Sequence, residues 1–181
     1  MCVLADVPHI IKNVCNHLIK GQNIELPQSF VEKFSLPCRS VSIEPLKHLV
    51  EYQKDKDLNP APSLTAKHLD PARFDKMKVS HAMNIFSNSV SAALRVMVQS
   101  NGWEIDTLTT AWFLETMNKW FDLMSSRHPV MALSKFDDAK YTETIEFLQL
   151  IVDLFDSLSI GTNCTWKPVQ SEVILGSYCL C

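Results

Sequence analysis

Glycine is scarce in this chain: Gly21, Gly102, Gly161 and Gly176 are the only four in 181 residues. None belongs to a G-x-x-x-x-G-K-[ST] or G-x-G-x-x-G run, so the usual backbone cradles for phosphate are excluded. There is no G-x-S-x-G elbow and no H-E-x-x-H pair, which removes the α/β-hydrolase and zincin readings. Long apolar runs are also missing, and the longest is too short to span a bilayer. The first residues carry no basic stretch followed by a cleavage-site pattern, so no secretory signal is expected. Neither sign of charge dominates. Seventeen Lys and Arg against twenty Asp and Glu leave a net charge of -3, which gives no global nucleic-acid footprint but leaves room for a local basic patch. The six cysteines (Cys2, Cys15, Cys38, Cys164, Cys179 and Cys181) include no C-x-x-C pair. Neither a zinc module nor a disulfide framework is therefore expected. Two thiols in Cys179-Leu-Cys181 cannot complete a tetrahedral site on their own.

What is present is helical periodicity. The length suits one domain, or one domain plus a piece of another, and 46% hydrophobic with 20% charged residues is ordinary for a globular protein. Cys2 to Ala5 reads as a short strand. Asp6 then caps a helix with Pro8 in its first turn and Ile10, Ile11, Val14 and Leu18 as its apolar stripe, stopped by Gly21. Gln22 to Ser42 is punctuated by proline, and Asn23 to Leu26 and Val41 to Ile43 are expected to pair as small strands. Pro45 opens a helix through Leu46, Leu49 and Val50, and the charged, Pro-rich stretch Lys54 to Ser63 reads as an exposed loop.

Three long segments follow. Asp70-Pro71 reads as a cap-then-proline start for one helix carrying Val79, Ala82, Met83, Phe86, Val90, Ala93, Leu94 and Met97 on one face, up to Gly102. Asp106 caps a second, with Phe113, Leu114, Met117, Trp120, Phe121 and Met124, closing near Pro129. A third runs from about Lys140 through Ile145, Leu148, Ile151, Leu154, Phe155 and Leu158 to Gly161. Their short connections predict an antiparallel bundle, so the fold class is mainly α.

Three stretches go beyond periodicity. Asp6-Val-Pro-His-Ile-Ile-Lys-Asn13 resembles the D-x-P-H-[LI]-[LI]-K-N segment of the P-element transposases and their THAP-domain relatives. Leu64 to Ser89, with K-H-L at 67–69 and M-K-V-S-H-A-M-N-I-F-S-N at 77–88, is similar to the long helix that opens the GTP-binding insertion domain of that family. Asn118-Lys-Trp-Phe-Asp-Leu-Met-Ser125 resembles the helix that contacts guanine there. Order and spacing agree along nearly the whole chain.

The resemblance implies an assembly of two parts. Residues 1–21 would be a strand–helix fragment of an RNase H-like catalytic core, and residues 22–181 a helical GTP-binding insertion whose C-terminal end is incomplete. It further implies a parent enzyme of cut-and-paste DNA transposition acting in the nucleus on transposon-end DNA, able to form oligomers, with Mg²⁺ in its core and GTP as a cofactor that is not hydrolysed. Membrane is not among the implied partners. The resemblance makes Asp6 the second catalytic acid and a metal ligand, whereas the residues alone favour a helix N-cap. Two-metal phosphoryl transfer needs several carboxylates. The family's first and third acids match nothing in this sequence, so the chain alone is expected not to cut DNA. His9 and Lys12, on the first turns after Asp6, read as structural and solvated residues.

For the nucleotide, the resemblance implies contacts from Lys78, Val79, Ser87, Phe121, Asp122 and Ser125. A carboxylate accepts well from the N1-H and 2-amino donors of guanine, and Lys78 can meet phosphate as a point charge. Periodicity alone assigns Phe121 to the core, Asp122 to a solvated face and Lys78 to the surface. Two positions depart from the family: Ser63 stands where it carries a lysine, and Ser125 where it carries an asparagine. The alternative to a transposase fragment is a domesticated helical binding or scaffold module.

Overall fold

The structure is a computed structural model that describes residues 6–54, 56, 59–72, 74–125, 137–162 and 165–168. Eight helices account for most of it: α1 (Val7–Ile19), α2 (Gln28–Phe34), α3 (Glu44–Gln53), α4 (Ala66–Leu69), α5 (Val79–Ile85), α6 (Asn88–Asn101), α7 (Thr107–Ser125) and α8 (Asp138–Ser157). Four short strands, β1 (Asn23–Glu25), β2 (Ser40–Val41), β3 (Ser159–Thr162) and β4 (Thr165–Pro168), form one sheet in the order β2-β1-β3-β4. The fold class is mainly α, as the periodicity requires.

Asp6 caps α1 as expected, accepting from the His9 amide through Oδ1 at 3.2 Å. Ile10, Ile11, Val14 and Leu18 are all buried. The chain turns out of α1 at Gly21, whose φ of +71° suits a residue without Cβ. β1 and β2 pair antiparallel with Ile24 opposite Val41, both fully buried. The predicted strand at Cys2 to Ala5 and the close near Pro129 lie outside the described residues.

Four expectations are corrected. Asp70-Pro71 starts no helix. It ends one, with Asp70 the C-cap of α4, and Pro71 follows because a helix cannot continue through it. The single helix expected over 79–97 is broken between Ile85 and Asn88. There Ser87 caps α6 by accepting from the Val90 amide at 3.4 Å, its side chain competing with continued helix. A seven-residue helix, α2, stands where only loop and strand were expected; it buries Phe30 and stacks Phe30 and Phe34 near Trp112. The last helix ends at Ser157 rather than Gly161. Ser159 to Gly161 instead pair with β1, with Ile24 opposite Ile160.

The core is one contiguous cluster that draws on α1, β1, β2, α3, α5, α6, α7 and α8. α6 and α7 form its antiparallel centre, pinned by Arg95 Nη2 and Glu115 Oε2 at 2.6 Å. α1 packs on α5 and α7, so the bundle recruits a helix outside the three expected ones. α8 closes the far side through Phe155, whose ring meets Trp120 edge-on at 5.3 Å. Phe121, Met124 and Leu148 pack against this cluster only partly buried. No helix among the described residues is long and apolar enough to cross a membrane.

Candidate nucleotide site

The Arg95–Glu115 ion pair joins α6 to α7. Ser87 caps the start of α6, and Phe121, Asp122 and Ser125 lie in the last turns of α7. Lys78 and Val79 open α5, the short helix that precedes Ser87.

Asp122 is exposed on α7, and Asn118, one turn back and 8% exposed, donates from Nδ2 to its Oδ2 at 2.7 Å. The carboxylate is thus held at one oxygen by a buried amide. Phe121 beside it is half-buried, which leaves part of its ring at the surface. Ser125 donates its hydroxyl to the Phe121 carbonyl at 2.6 Å, satisfying a C-terminal helix acceptor. Its hydroxyl is therefore turned inward onto its own helix.

Ser87 is engaged as a cap, donating to the Asn84 carbonyl at 3.2 Å and sharing a 3.0 Å contact with the Ser89 hydroxyl. Ser63 reaches the same group, 3.4 Å from Ser89 Oγ. Lys78 pairs with Asp75 at 2.8 Å. The lysine's hydrogen bond and charge hold the Asp75 carboxyl below the usual carboxylate range. Both are well solvated, so the pair is weak and a phosphate could displace Asp75. Val79 is half-buried at the first turn of α5.

Sequence reading missed a polar cluster between α4 and α5. His68 Nδ1 accepts from the Thr65 amide at 3.0 Å. His81 Nε2 donates to the His68 carbonyl at 3.1 Å, and the two rings lie 4.8 Å apart. Burial first, then the His81 charge, lowers the His68 pKa. The cluster ties α5, and hence Lys78, to α4. The T-x-x-H spacing at 65–68 was its only sequence signal.

Asp6 sits at the N-terminus of α1, exposed and engaged as a cap. Among the described residues no three His, Cys, Asp or Glu lie close enough to share a metal ion, so these residues do not by themselves make a Mg²⁺ site. Cys15 is no nucleophile either, because burial pushes its thiol up to about 12.

Residues 9–136 match the family model described as "TNP-like, GTP-binding insertion domain". The "Transposable element P transposase" of Drosophila melanogaster is 29% identical over 126 residues, which are 69% of this chain and 15% of that protein. The "Drosophila P element transposase strand transfer complex" shares the fold at a TM-score of 0.70 and 19% identity, over 96% of this chain and 37% of that one. The chain spans well under half the length of either relative. With more than half of its residues matched by one family model, this chain belongs to the family of TNP-like GTP-binding insertion domains.

Proposed function

We propose that this chain binds a guanine nucleotide where the start of α6 meets the end of α7. Asp122 takes the base edge, Phe121 gives an apolar contact to the base, and Ser87, Val79 and Lys78 lie toward the phosphates. The observation that carries the reading is the Asn118–Asp122 bond of 2.7 Å beside a half-exposed ring. A carboxylate fixed at one oxygen at the surface, next to an apolar face, suits the paired N-H donors of guanine. Ser125 belongs to the site as a neighbour of the base, but its bonded hydroxyl contributes little. Ser63, in place of a lysine, leaves the phosphates with less positive charge.

In the same reading the chain is a piece of a P-element-like transposase. Residues 1–21 end an RNase H-like core and residues 22–181 are the insertion. Asp6 is the one core acid it retains, and the parent works in the nucleus on transposon-end DNA with Mg²⁺ held by the complete set of acids. Calorimetric titration of the 181-residue chain with GTP and with ATP tests the nucleotide reading. Saturable binding of GTP with clear preference over ATP supports it, and equal affinity or no binding overturns it. A helical scaffold module would give the second result.

A further inference from the structure

The end of the α6–α7 pair remote from Asp122 holds a cleft of about 790 Å³ between the strand β2, the start of α3 and the turn that leads into α7. Thr107, at this end, and Asp122 are fifteen residues apart on one helix, a separation of about 22 Å. The cleft is therefore a separate place from the nucleotide site. Its volume lies in the range of small-ligand sites.

Its charged lining is of one sign. Glu44, Glu104 and Asp106 face it and no lysine or arginine does. Glu104 and Asp106 form no ion pair among the described residues, and Glu44 pairs only with exposed Lys47 at 2.7 Å, a bond easily exchanged. His48 and Trp103 stack in the cleft wall with centroids 4.0 Å apart and planes 8° from parallel. Tyr52 braces Trp103 edge-on at 6.1 Å.

Thr107 supplies an independent observation. It is 5% exposed and lines the cleft, and among the described residues no side chain bonds its hydroxyl. Yet none of the sealed side-chain polar atoms in the described residues lacks a partner. The hydroxyl of this 5%-exposed residue is therefore open to the solvent of the cleft it lines, free to meet a ligand there.

We propose that this cleft binds an organic polycation carrying at least two ammonium or guanidinium groups on an alkyl chain. Three carboxylates, of which only Glu44 has a cation beside it, repel phosphate, so a nucleotide is disfavoured here. The carboxylates are spread over two walls, and no three acidic or imidazole groups lie close enough to share one metal ion. Separated charges on a flexible chain match that spread, with Glu44 at the start of α3 and Glu104 and Asp106 in the turn before α7. The Trp103–His48 stack offers aromatic surface to the alkyl chain and to a cation, and Thr107 accepts one ammonium N-H. Such a chain comes either as a free polyamine or as lysine side chains of a basic protein segment.

Titration of the whole 181-residue chain with spermidine, with a trilysine peptide and with GTP tests the proposal. Saturable binding of spermidine or trilysine is expected. It should weaken about tenfold or more in the Glu104→Gln/Asp106→Asn double variant, weaken with added salt, and persist when GTP is present. Tighter binding of spermidine assigns the site to a free polyamine, and tighter binding of trilysine assigns it to a basic segment. No binding of either, or binding unchanged in the double variant, overturns it. Because all the substituted groups are exposed, the melt should not change. If the double variant fails to fold, Glu44→Gln replaces it, with the same weakening expected and undiminished binding again overturning the proposal.

Discussion

The imidazole of His68 accepts, through Nδ1, the backbone N-H of Thr65 at 3.0 Å, and that bond exists only while Nδ1 carries no proton. The proton of the neutral ring then sits on Nε2, 2.9 Å from Asn84 Nδ2, so the Asn84 amide must turn over to present its oxygen there. Protonating His68 breaks the Thr65 bond and places a charge 4.8 Å from the His81 ring.

Acid should therefore loosen the junction of α4 and α5. The His68 pKa in the folded chain lies below its ordinary 6.5, so between these two values the unfolded chain binds more protons. Stability is full above about pH 6.5, and falls as pH drops from there through the folded-state pKa. Melting temperature recorded across that range should show the loss, and His68→Gln should flatten it. Glutamine keeps the reciprocal bond of a capping box but does not titrate. A variant with the same pH slope as wild type would remove His68 from the account.

A second prediction tests the core. Phe86 is fully buried and meets Phe113 edge-on at 6.4 Å. Phe86→Ala should destabilise the chain by about 3–5 kcal/mol, the ordinary cost of an aromatic truncation in a packed core. A denaturant midpoint equal to wild type would show that the α5–α6–α7 packing is not as described. The exposed Val96, on the outer side of α6, is the control, and Val96→Ala should change little.

The legible part of this fold is the part with local causes. Asp6, Pro8 and Gly21 bound α1 because cap, proline and positive φ act within a turn of their own position. The α6 and α7 faces were legible because their apolar residues recur at helical spacing. What failed depended on competition. Phe86 continues the stripe of Val79 and Val90 without a gap in period, and only the Ser87 side chain decides that the helix breaks there. The segment Leu158 to Gly161 leaves the helical state because β1, more than a hundred residues earlier, offers it a ladder, a partner that no local pattern announces. In the site, Phe121 and Asp122 were nameable from a resemblance, but Asn118, which orients the carboxylate, reads in sequence as one more polar residue in a helix.

Asp6 yields a third prediction, with two parts. As an N-cap, Asp6→Ala should cost about 0.5–2 kcal/mol of stability, read from chemical denaturation. As a lone acid with no described metal partners, it should support no cleavage of transposon-end DNA in Mg²⁺ or Mn²⁺. Cleavage by the purified chain that disappears in Asp6→Ala would show that a complete catalytic centre assembles after all.

The last prediction concerns the choice between purines. The edge of guanine presents two adjacent N-H donors, and a carboxylate accepts both, whereas N1 of adenine is an acceptor that a carboxylate repels. Asp122→Ala should therefore abolish the preference for GTP over ATP, and the charge-assisted pair it removes is worth about 1.5–3 kcal/mol, roughly a tenfold to hundredfold change in affinity. Phe121→Ala should weaken both nucleotides together, because an apolar surface contacts either base. Asn118→Ala separates position from charge. It leaves the Asp122 carboxylate in place but frees Oδ2 from its 2.7 Å bond, so GTP affinity should fall by less than in Asp122→Ala while the preference survives. Titration of the three variants with both nucleotides reads these patterns directly. A GTP preference that outlasts Asp122→Ala would move the base to another part of the helix pair.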